Sequence, residues 1–140
     1  MNLYAESSAV LSWLLGEDRS IGARGALAGA ELVLASELTL IECDRVLIRA
    51  SSGGRLSEVQ RVDLRSRLEH VAGHWSILGL SEEIVDRARR PFPVEPVRTL
   101  DAIHLATALL GRSLIPGLGL LSLDERVRAN GRELGFDLLP

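Results

Sequence analysis

Residues 2–15, NLYAESSAVLSWLL, decide the fold, because a short apolar run of strand length is followed at once by a segment with helical periodicity. The same order recurs along the chain. Runs of strand length lie at 2–5, 31–35, 75–80 and 118–123, with a candidate fifth at 136–139. Segments with helical periodicity lie at 7–15, 18–30, 37–50, 57–72, 81–90, 100–111 and 125–134. This order predicts an α/β fold with a parallel sheet of about four to five strands flanked by helices.

The length and composition of the chain indicate one globular domain. Of its 140 residues, 46% are hydrophobic and 25% are charged, so we expect a single domain over 1–140 with its own core. Polar residues interrupt every apolar stretch well before the ~18 residues that a membrane helix needs, so we expect no membrane association. The start, MNLYAESSAV, contains an acid and no basic region, which differs from a secretory signal and predicts a cytoplasmic protein.

The absence of lysine and of a second cysteine excludes several kinds of site. All 16 positions counted as Lys or Arg are arginine, which removes the P-loop lysine and Schiff-base chemistry. The one cysteine, Cys43, excludes an internal disulfide and a paired-cysteine zinc site, and we expect it to be a small buried apolar residue. With 19 acids the formal charge is -3, so binding of nucleic acid must depend on local arginines and a metal.

Acidic side chains follow the predicted strands, where ligands bind in an open parallel sheet. Glu6 follows the first strand and Asp124 follows the fourth. Asp101 opens the helix before the fourth strand, and Glu42 lies in the helix after the second. If the first and fourth strands are neighbours, these carboxylates can converge. Converging carboxylates suit Mg²⁺ or Mn²⁺, and the reaction that such a site predicts is phosphodiester hydrolysis.

Two of these acids also have an interpretation that involves no chemistry. Ser122 and Glu125 fit a capping box, in which Asp124 is only a favourable acid in the first turn of a helix. Asp101 is equally suited to the N-terminal dipole of its own helix. Taken one at a time, the acids therefore do not establish a site. Their common position relative to the strands is what favours a functional interpretation.

Two acids in the middle of the helix at 37–50, Glu42 and Asp44, are alternatives, and periodicity does not select Glu42. A rotation of about 100° per residue places Asp44 nearer than Glu42 to the middle of the apolar face. The residues of that face are Leu40, Ile41, Leu47 and Ile48. Glu42 is equally explained as a surface acid that pairs with an arginine one turn later in the helix.

Four segments stand out in order along the chain: LYAESSAVLSWLL at the start, ASELTLIECDRVLIR in the first third, VRTLDAIHLATAL near residue 100, and LLSLDERVRANGRELGF at the end. They resemble the successive motifs of PIN-domain ribonucleases, and most closely those of the VapC-like toxins of bacterial toxin–antitoxin pairs. The resemblance spans essentially the whole chain, and TLDAIHLATA is its most specific part. It implies a PIN-like fold and metal-dependent endonucleolytic cleavage of RNA.

The resemblance also implies roles for individual residues and partners. The expected catalytic acids are Glu6, Glu42, Asp101 and Asp124. Of these, Glu6, Asp101 and Asp124 are expected to hold Mg²⁺ or Mn²⁺, and Ser8 and Ser122 match positions where the family often has a hydroxyl near the metal. It is the resemblance that favours Glu42 over Asp44. It further implies cleavage to a 5′ phosphate and a 3′ hydroxyl, a homodimer, and an antitoxin whose basic side chain blocks the acidic site.

One position departs from the family pattern. The first acid is usually an aspartate in a DTSA-like motif, whereas this chain has Glu6 in ESSA. The extra methylene lets the carboxylate reach further and requires a different rotamer to hold it, which affects geometry and metal preference. The alternative function is therefore a catalytically weak PIN-fold module that acts through dimer or partner contacts.

The three histidines give weaker signals. His70 and His74 have the i, i+4 spacing that can chelate a transition metal, but Gly73 weakens the helix there and the sequence offers no third ligand. His104 lies inside the TLDAIHLATA segment, and we expect it to be a packing or hydrogen-bonding residue. A phosphatase of the aspartyl-phosphate type is disfavoured, because Glu6 in ESSAV does not supply an aspartate nucleophile.

Overall fold

The computed structural model describes residues 1–17 and 20–140. Within them the chain forms five strands: β1 (Asn2–Ala5), β2 (Leu32–Ser36), β3 (Ser76–Leu78), β4 (Gly119–Leu121) and β5 (Leu138–Leu139). It also forms seven helices: α1 (Ser7–Leu15), α2 (Ser20–Gly29), α3 (Glu37–Ser52), α4 (Glu58–Ala72), α5 (Glu82–Ala88), α6 (Thr99–Leu114) and α7 (Glu125–Glu133). Among these described helices, none has the length and apolar character that crossing a membrane requires.

The strands form one parallel sheet in the order β3-β2-β1-β4-β5, which confirms the predicted fold class. The central strand is β1, and Ala5 at its end lies opposite Leu121 at the end of β4. The chain leaves β1 towards β2 on one side and returns to β4 on the other, so a crevice opens beyond the ends of β1 and β4. The first and fourth strands are neighbours, as convergence of the acids requires.

Helices cover both faces of the sheet, which gives three layers. Successive side chains of a strand point to opposite faces. Tyr4 accordingly belongs to the apolar cluster formed with α5, α6 and α7, whereas Leu3 and Ala5 belong to the cluster formed with α1 to α4. Helix α6 packs very closely on the sheet, because a Cβ at Gly111 would collide with the side chain of Leu34. A contact between the Tyr4 hydroxyl and His104 joins the first half of α6 to β1.

Several element boundaries differ from the prediction. Residues 18 and 19 of the helix predicted at 18–30 lie outside the described residues, and α2 is described from Ser20. Helix α3 continues through the serines at 51 and 52, which were predicted to lie in a break, and ends where Gly53 caps it. The strand predicted at 75–80 is limited to three residues, because β3 pairs only as far as Ser36, where β2 gives way to α3.

The predicted apolar face of α3 is wrong for two of its four residues. Ile41 and Ile48 are 57% and 39% exposed. The buried residues of this helix are instead Thr39, Cys43, Leu47 and Ala50. The prediction was based on the large apolar side chains of the helix, whereas the buried face consists mainly of small side chains. Cys43 is buried as expected, and burial raises the pKa of its thiol to about 12, so it stays unreactive near neutral pH.

Candidate acidic active site

The four predicted acids are carried by helices that begin near the crevice beyond β1 and β4. Glu6 follows β1 and is the N-cap of α1. Asp124 comes shortly after β4 and is the N-cap of α7. Asp101 lies in the first turn of α6, and Glu42 lies in the second turn of α3. Backbone N–H groups at helix starts favour negative charge, so the fold itself supports carboxylates in these places.

Glu6 is buried, with 4% of its surface exposed, and three donors hold one of its oxygens. Its Oε2 accepts a hydrogen bond from Ser122 Oγ at 2.7 Å, one from the backbone N–H of Ser8 at 3.2 Å, and a third from Ser8 Oγ. Glutamate is one methylene longer than aspartate, and the side chain of Glu6 accommodates this length by folding back over the first turn of α1. Both hydroxyl residues expected near the metal, Ser8 and Ser122, contact this carboxylate.

Arg98 joins the other two expected metal ligands. Its Nε donates to Asp101 Oδ2 at 3.0 Å, and its Nη2 donates to Asp124 Oδ2 at 3.3 Å. The hydrogen bond and charge of Asp101, together with the charge of Asp124, raise the pKa of the Arg98 guanidinium. This residue is therefore a permanent positive charge between two of the acids.

The capping-box interpretation of the last helix is wrong. Asp124 itself is the N-cap of α7, and its Oδ1 accepts hydrogen bonds from the backbone N–H groups of Arg126 at 2.8 Å and Val127 at 3.2 Å. Ser122 is turned the other way, towards Glu6, and accepts a hydrogen bond from the backbone N–H of Asp124 at 3.1 Å. One continuous set of hydrogen bonds thus connects Glu6, through Ser122 and Asp124, to Arg98 and Asp101.

Glu42 is held by a separate set of partners. Its Oε1 accepts a hydrogen bond from Ser7 Oγ at 2.7 Å and lies 2.5 Å from His104 Nε2. The other ring nitrogen, His104 Nδ1, lies 2.7 Å from the hydroxyl of Tyr4. Both Tyr4 and His104 are buried. The expectation that His104 is a hydrogen-bonding residue is confirmed, and its partner is one of the predicted site acids.

The structure separates Glu42 from Asp44, which the sequence pattern did not. The two acids flank the buried Cys43 on α3 and each is half-buried. Asp44 Oδ1 lies 3.4 Å from Nε of Arg65 on α4, whereas Glu42 contacts α1 and α6. Only the orientation of Glu42 leads towards the polar groups after β1.

Glu42 carries its charge despite being half-buried. Burial raises its pKa, but the hydrogen bonds with His104 and Ser7 and the charge of Arg98 more than offset that effect and lower the pKa below its ordinary value. At Tyr4 the balance is opposite, because burial and then the charge of Glu6 raise the pKa of the phenol well above its ordinary value. Near neutral pH the histidine therefore lies between a carboxylate and a neutral phenol.

The donor set fits a hard divalent cation in its chemistry, but the acids are arranged in separate groups. In residues 1–17 and 20–140, no three Asp, Glu, His or Cys side chains converge closely enough to hold a metal ion, and this includes His70 and His74. Two of the four carboxylates, those of Asp101 and Asp124, contact the guanidinium of Arg98. The four acids and this one arginine together have a formal excess of three negative charges. This excess, together with the oxygen donors, suits Mg²⁺ or Mn²⁺ as a further counter-ion.

Sequence reasoning missed the parts played by Ser7, Arg98 and His104 at this site. Ser7 lies beside the predicted Ser8, and the serine pair after Glu6 was a signal for it. Arg98 and His104 lie three residues before and three residues after Asp101. Residues three apart on a helix are neighbours, so the spacing around Asp101 could have indicated both.

Removal of the Ser122 hydroxyl tests how Glu6 is held. Ser122→Ala is expected to lower the free energy of unfolding by about 1 to 3 kcal/mol, because a buried carboxylate loses a donor and the Asp124 N–H loses its acceptor. Urea unfolding at neutral pH measures this. Ser113→Ala is the matched control, since Ser113 is an exposed serine of α6 that donates to a carbonyl of its own helix. A loss equal to that of the control would contradict the supporting role of Ser122.

Comparison with known proteins gives consistent matches over most of the chain. The PIN domain family matches residues 3–133. Ribonuclease VapC46 of Mycobacterium tuberculosis (strain ATCC 25618 / H37Rv) is 29% identical over 138 residues, which are 98% of this chain and 95% of that protein. The fold is similar to that of VapC20 from Mycobacterium tuberculosis, described as a sarcin-ricin loop cleaving toxin, with a TM-score of 0.68 at 16% identity over 99% of this chain and 100% of that one. It is also similar to a chain of a toxin-antitoxin complex from Klebsiella pneumoniae, with a TM-score of 0.63 at 22% identity over 91% of each chain.

Proposed function

This chain belongs to the PIN domain family, and from that premise we propose that it is a metal-dependent endoribonuclease that hydrolyses phosphodiester bonds of RNA. We propose further that it acts in the cytoplasm as the toxin of a toxin–antitoxin pair, as a homodimer with one domain over 1–140. The observation that carries the proposal is the set of hydrogen bonds that connects Glu6, Asp124 and Asp101 through Ser122 and Arg98 beyond the ends of β1 and β4. Glu42 is held separately by Ser7 and His104, and we call these four acids the cluster. The names of the ribonuclease and toxin relatives support the same reaction class.

The charge of the cluster supports a cation-dependent reaction on a nucleic acid. Arg98 compensates part of the charge of the acids, and the remaining excess is negative. A negative crevice repels the phosphate backbone of RNA, so productive binding requires a further cation. Mg²⁺ or Mn²⁺ held by Glu6, Asp101 and Asp124 would supply that positive charge, together with activation of water and stabilisation of negative charge on the phosphate.

Each side chain of the cluster has a distinct part in this proposal. Glu6, Asp101 and Asp124 would hold the ion through carboxylate oxygens, which Mg²⁺ and Mn²⁺ prefer. Ser8 and Ser122 bond Glu6 through Oε2, while Oε1 takes part in none of these bonds. Glu42, whose lowered pKa keeps it ionised, is suited to orient a water molecule by accepting its proton in a hydrogen bond.

The experiment that tests the proposal is cleavage of a mixed pool of structured RNAs by the purified protein. Parallel reactions contain Mg²⁺, Mn²⁺ or EDTA. We expect cuts that require a metal, disappear with EDTA, and leave a 5′ phosphate and a 3′ hydroxyl. Absence of cleavage by well-folded protein, together with absence of metal binding in calorimetry, would overturn the proposal.

An antitoxin partner is supported by the charge of the cluster and by the relatives. One similar structure is a toxin-antitoxin complex from Klebsiella pneumoniae, and another is VapBC2 from Rickettsia felis bound to promoter DNA. In this chain Arg98 already demonstrates that a guanidinium fits between Asp101 and Asp124. An arginine of a partner protein that displaced Arg98 would take the same position and block the acids.

A second candidate function is the catalytically weak module that acts through dimer or partner contacts. The observation that favours it is the internal pairing of two expected metal ligands with Arg98, which gives them a counter-ion without any metal. Metal affinity separates the two functions. A metal-dependent nuclease must bind the ion in competition with Arg98, whereas a catalytically weak module need not bind it.

Replacement of Arg98 measures that competition. Arg98→Gln is expected to tighten Mn²⁺ binding by about threefold to tenfold, because the ion no longer competes with a partly exposed guanidinium. Isothermal calorimetry at fixed ionic strength gives the affinity, and the gain should shrink as salt rises. Arg61→Gln is the control, since Arg61 pairs with Glu58 on α4. Equal or weaker binding by Arg98→Gln would show that the guanidinium does not oppose the ion.

A further inference from the structure

We propose that Tyr4 and His104 are positioning residues for Glu42, which hold its carboxylate in one orientation facing the crevice. The proposal rests on the nuclease function proposed above and deepens it. The observation that carries it is an uninterrupted chain of contacts from Tyr4 through both ring nitrogens of His104 to Glu42. Neither Tyr4 nor His104 is exposed, so neither can meet RNA in this arrangement, and both act through Glu42.

The proton positions along this chain follow from counting donors. Ser7 Oγ uses its proton on Glu42 Oε1, so the 3.1 Å contact between Ser7 Oγ and His104 Nε2 requires a proton on Nε2. The carboxylate of Glu42 accepts from the same Nε2–H. On a neutral ring Nδ1 is then an acceptor, and the Tyr4 hydroxyl donates to it at 2.7 Å. Tyr4 thereby satisfies Nδ1 in the tautomer that presents a donor to Glu42 and holds the ring in that orientation.

Burial of these two polar side chains is costly unless they are satisfied. The ring of Tyr4 packs in the apolar cluster with Leu105 and Leu120, where phenylalanine would pack as well and need no partner. The hydroxyls of Thr39 and Thr107 also interact with the Tyr4 hydroxyl, but each donates its own proton to a backbone carbonyl. The ring nitrogen of His104 is the acceptor that the Tyr4 hydroxyl finds at 2.7 Å.

The chain of contacts also connects the elements that bear the site. Tyr4 lies on β1, Ser7 on α1, Glu42 on α3 and His104 on α6, one turn after Asp101. The half-exposed glutamate has several rotamers open to it, and contacts from two other elements restrict it to one. Hydrogen bonds from Ser7 and His104 therefore add to the packing of α3 in placing the Glu42 carboxylate relative to Glu6 and Asp101.

The first test is spectroscopic and needs no RNA. The chain has three histidines, and two of them are exposed, so the ring nitrogens of His104 can be assigned by nitrogen-15 NMR on the full-length protein. We expect one tautomer with its proton on Nε2. Tyr4→Phe, which removes the donor to Nδ1, should shift the Nδ1 signal, and Glu42→Gln should shift the Nε2 signal. Unchanged His104 signals in both variants would overturn the proposal.

The second test is kinetic. Tyr4→Phe is expected to lower kcat for RNA cleavage by about tenfold to a hundredfold with KM unchanged, as loss of an orienting partner commonly does. In a Glu42→Gln background the same substitution should cost nothing further, because the carboxylate that it orients is gone. His104→Gln, which keeps a donor at the position of Nε2, should retain more activity than His104→Leu.

Controls separate positioning from general loss of structure and from failure of the nuclease function. Phe136→Leu perturbs the same apolar cluster far along the chain from these contacts, so it should lower the melting temperature and leave kcat unchanged. A Tyr4→Phe effect of the same size in the presence and absence of Glu42 would overturn the proposal. If the wild-type protein cuts no RNA, the nuclease function fails, and the NMR experiment alone decides the positioning role.

Discussion

Asp101→Asn is expected to reduce metal-dependent RNA cleavage on the order of 10³-fold, the largest effect of any single substitution at this site. Asp101 is buried in the first turn of α6, and its Oδ2 contacts Arg98, which in turn reaches Asp124. Asparagine has nearly the same shape as aspartate but no charge. The substitution therefore removes a proposed ligand of the ion and part of the negative charge that balances the charge of the ion. Single-turnover cleavage with saturating Mn²⁺ measures the loss.

The control for this prediction is an acid on the neighbouring helix. Asp86→Asn changes the same functional group on α5, where Asp86 is exposed, and is expected to leave cleavage unchanged. Circular dichroism and melting curves of both variants check that each is folded. Full activity in Asp101→Asn would remove Asp101 from the site and, with it, the central assignment of the proposed function.

Glu42→Gln and Asp44→Asn form a matched pair for the second large effect. We expect Glu42→Gln to lower the cleavage rate by about 10²-fold, because a carboxylate that orients water or transfers a proton contributes an effect of this size. Asp44→Asn should leave the rate unchanged, since Asp44 faces Arg65 on α4. The two acids are two residues apart on one helix and are similarly buried, so their difference measures orientation alone.

The reverse outcome of this pair would be informative. A large loss with Asp44→Asn and none with Glu42→Gln would mean that the site lies between α3 and α4 and not beyond β1 and β4. Equal small effects of both substitutions would mean that α3 contributes no acid to the reaction. Either result would contradict the proposed role of Glu42, while leaving that of Asp101 to its own test.

The fold was predictable because its signals are local. Each strand-length apolar run and the helix after it can be recognised within about 15 residues, and repetition of that order requires a parallel sheet. The boundaries were less predictable, because pairing sets them. Strand β3 stops where its partner β2 ends at Ser36, and a residue more than 30 positions away is not part of any local pattern.

The site was predictable in part. Glu6, Asp101 and Asp124 were expected from their positions at strand ends and helix starts, and the hydrogen bonds through Ser122 and Arg98 connect them. The capping interpretation of Ser122 was wrong, because its hydroxyl has a choice of partners. In the sequence, Ser122 matches the position of a helix cap. In the fold, its hydroxyl donates to the buried carboxylate of Glu6, which is a charged and therefore strong acceptor.

The sequence by itself determined the class of fold and the acids from which the chemistry is proposed, since periodicity and residue type are properties of single segments. The tertiary structure alone decided that Glu42 contacts Ser7 and His104 whereas Asp44 faces Arg65. It also decided that Arg98 bridges two acids and that Tyr4 reaches Glu42 through His104. Each of these depends on contacts between residues far apart in the chain, Tyr4 and His104 being separated by 100 positions. The orientation of a side chain is set by neighbours from other elements. The order of residues within one helix carries no information about those neighbours.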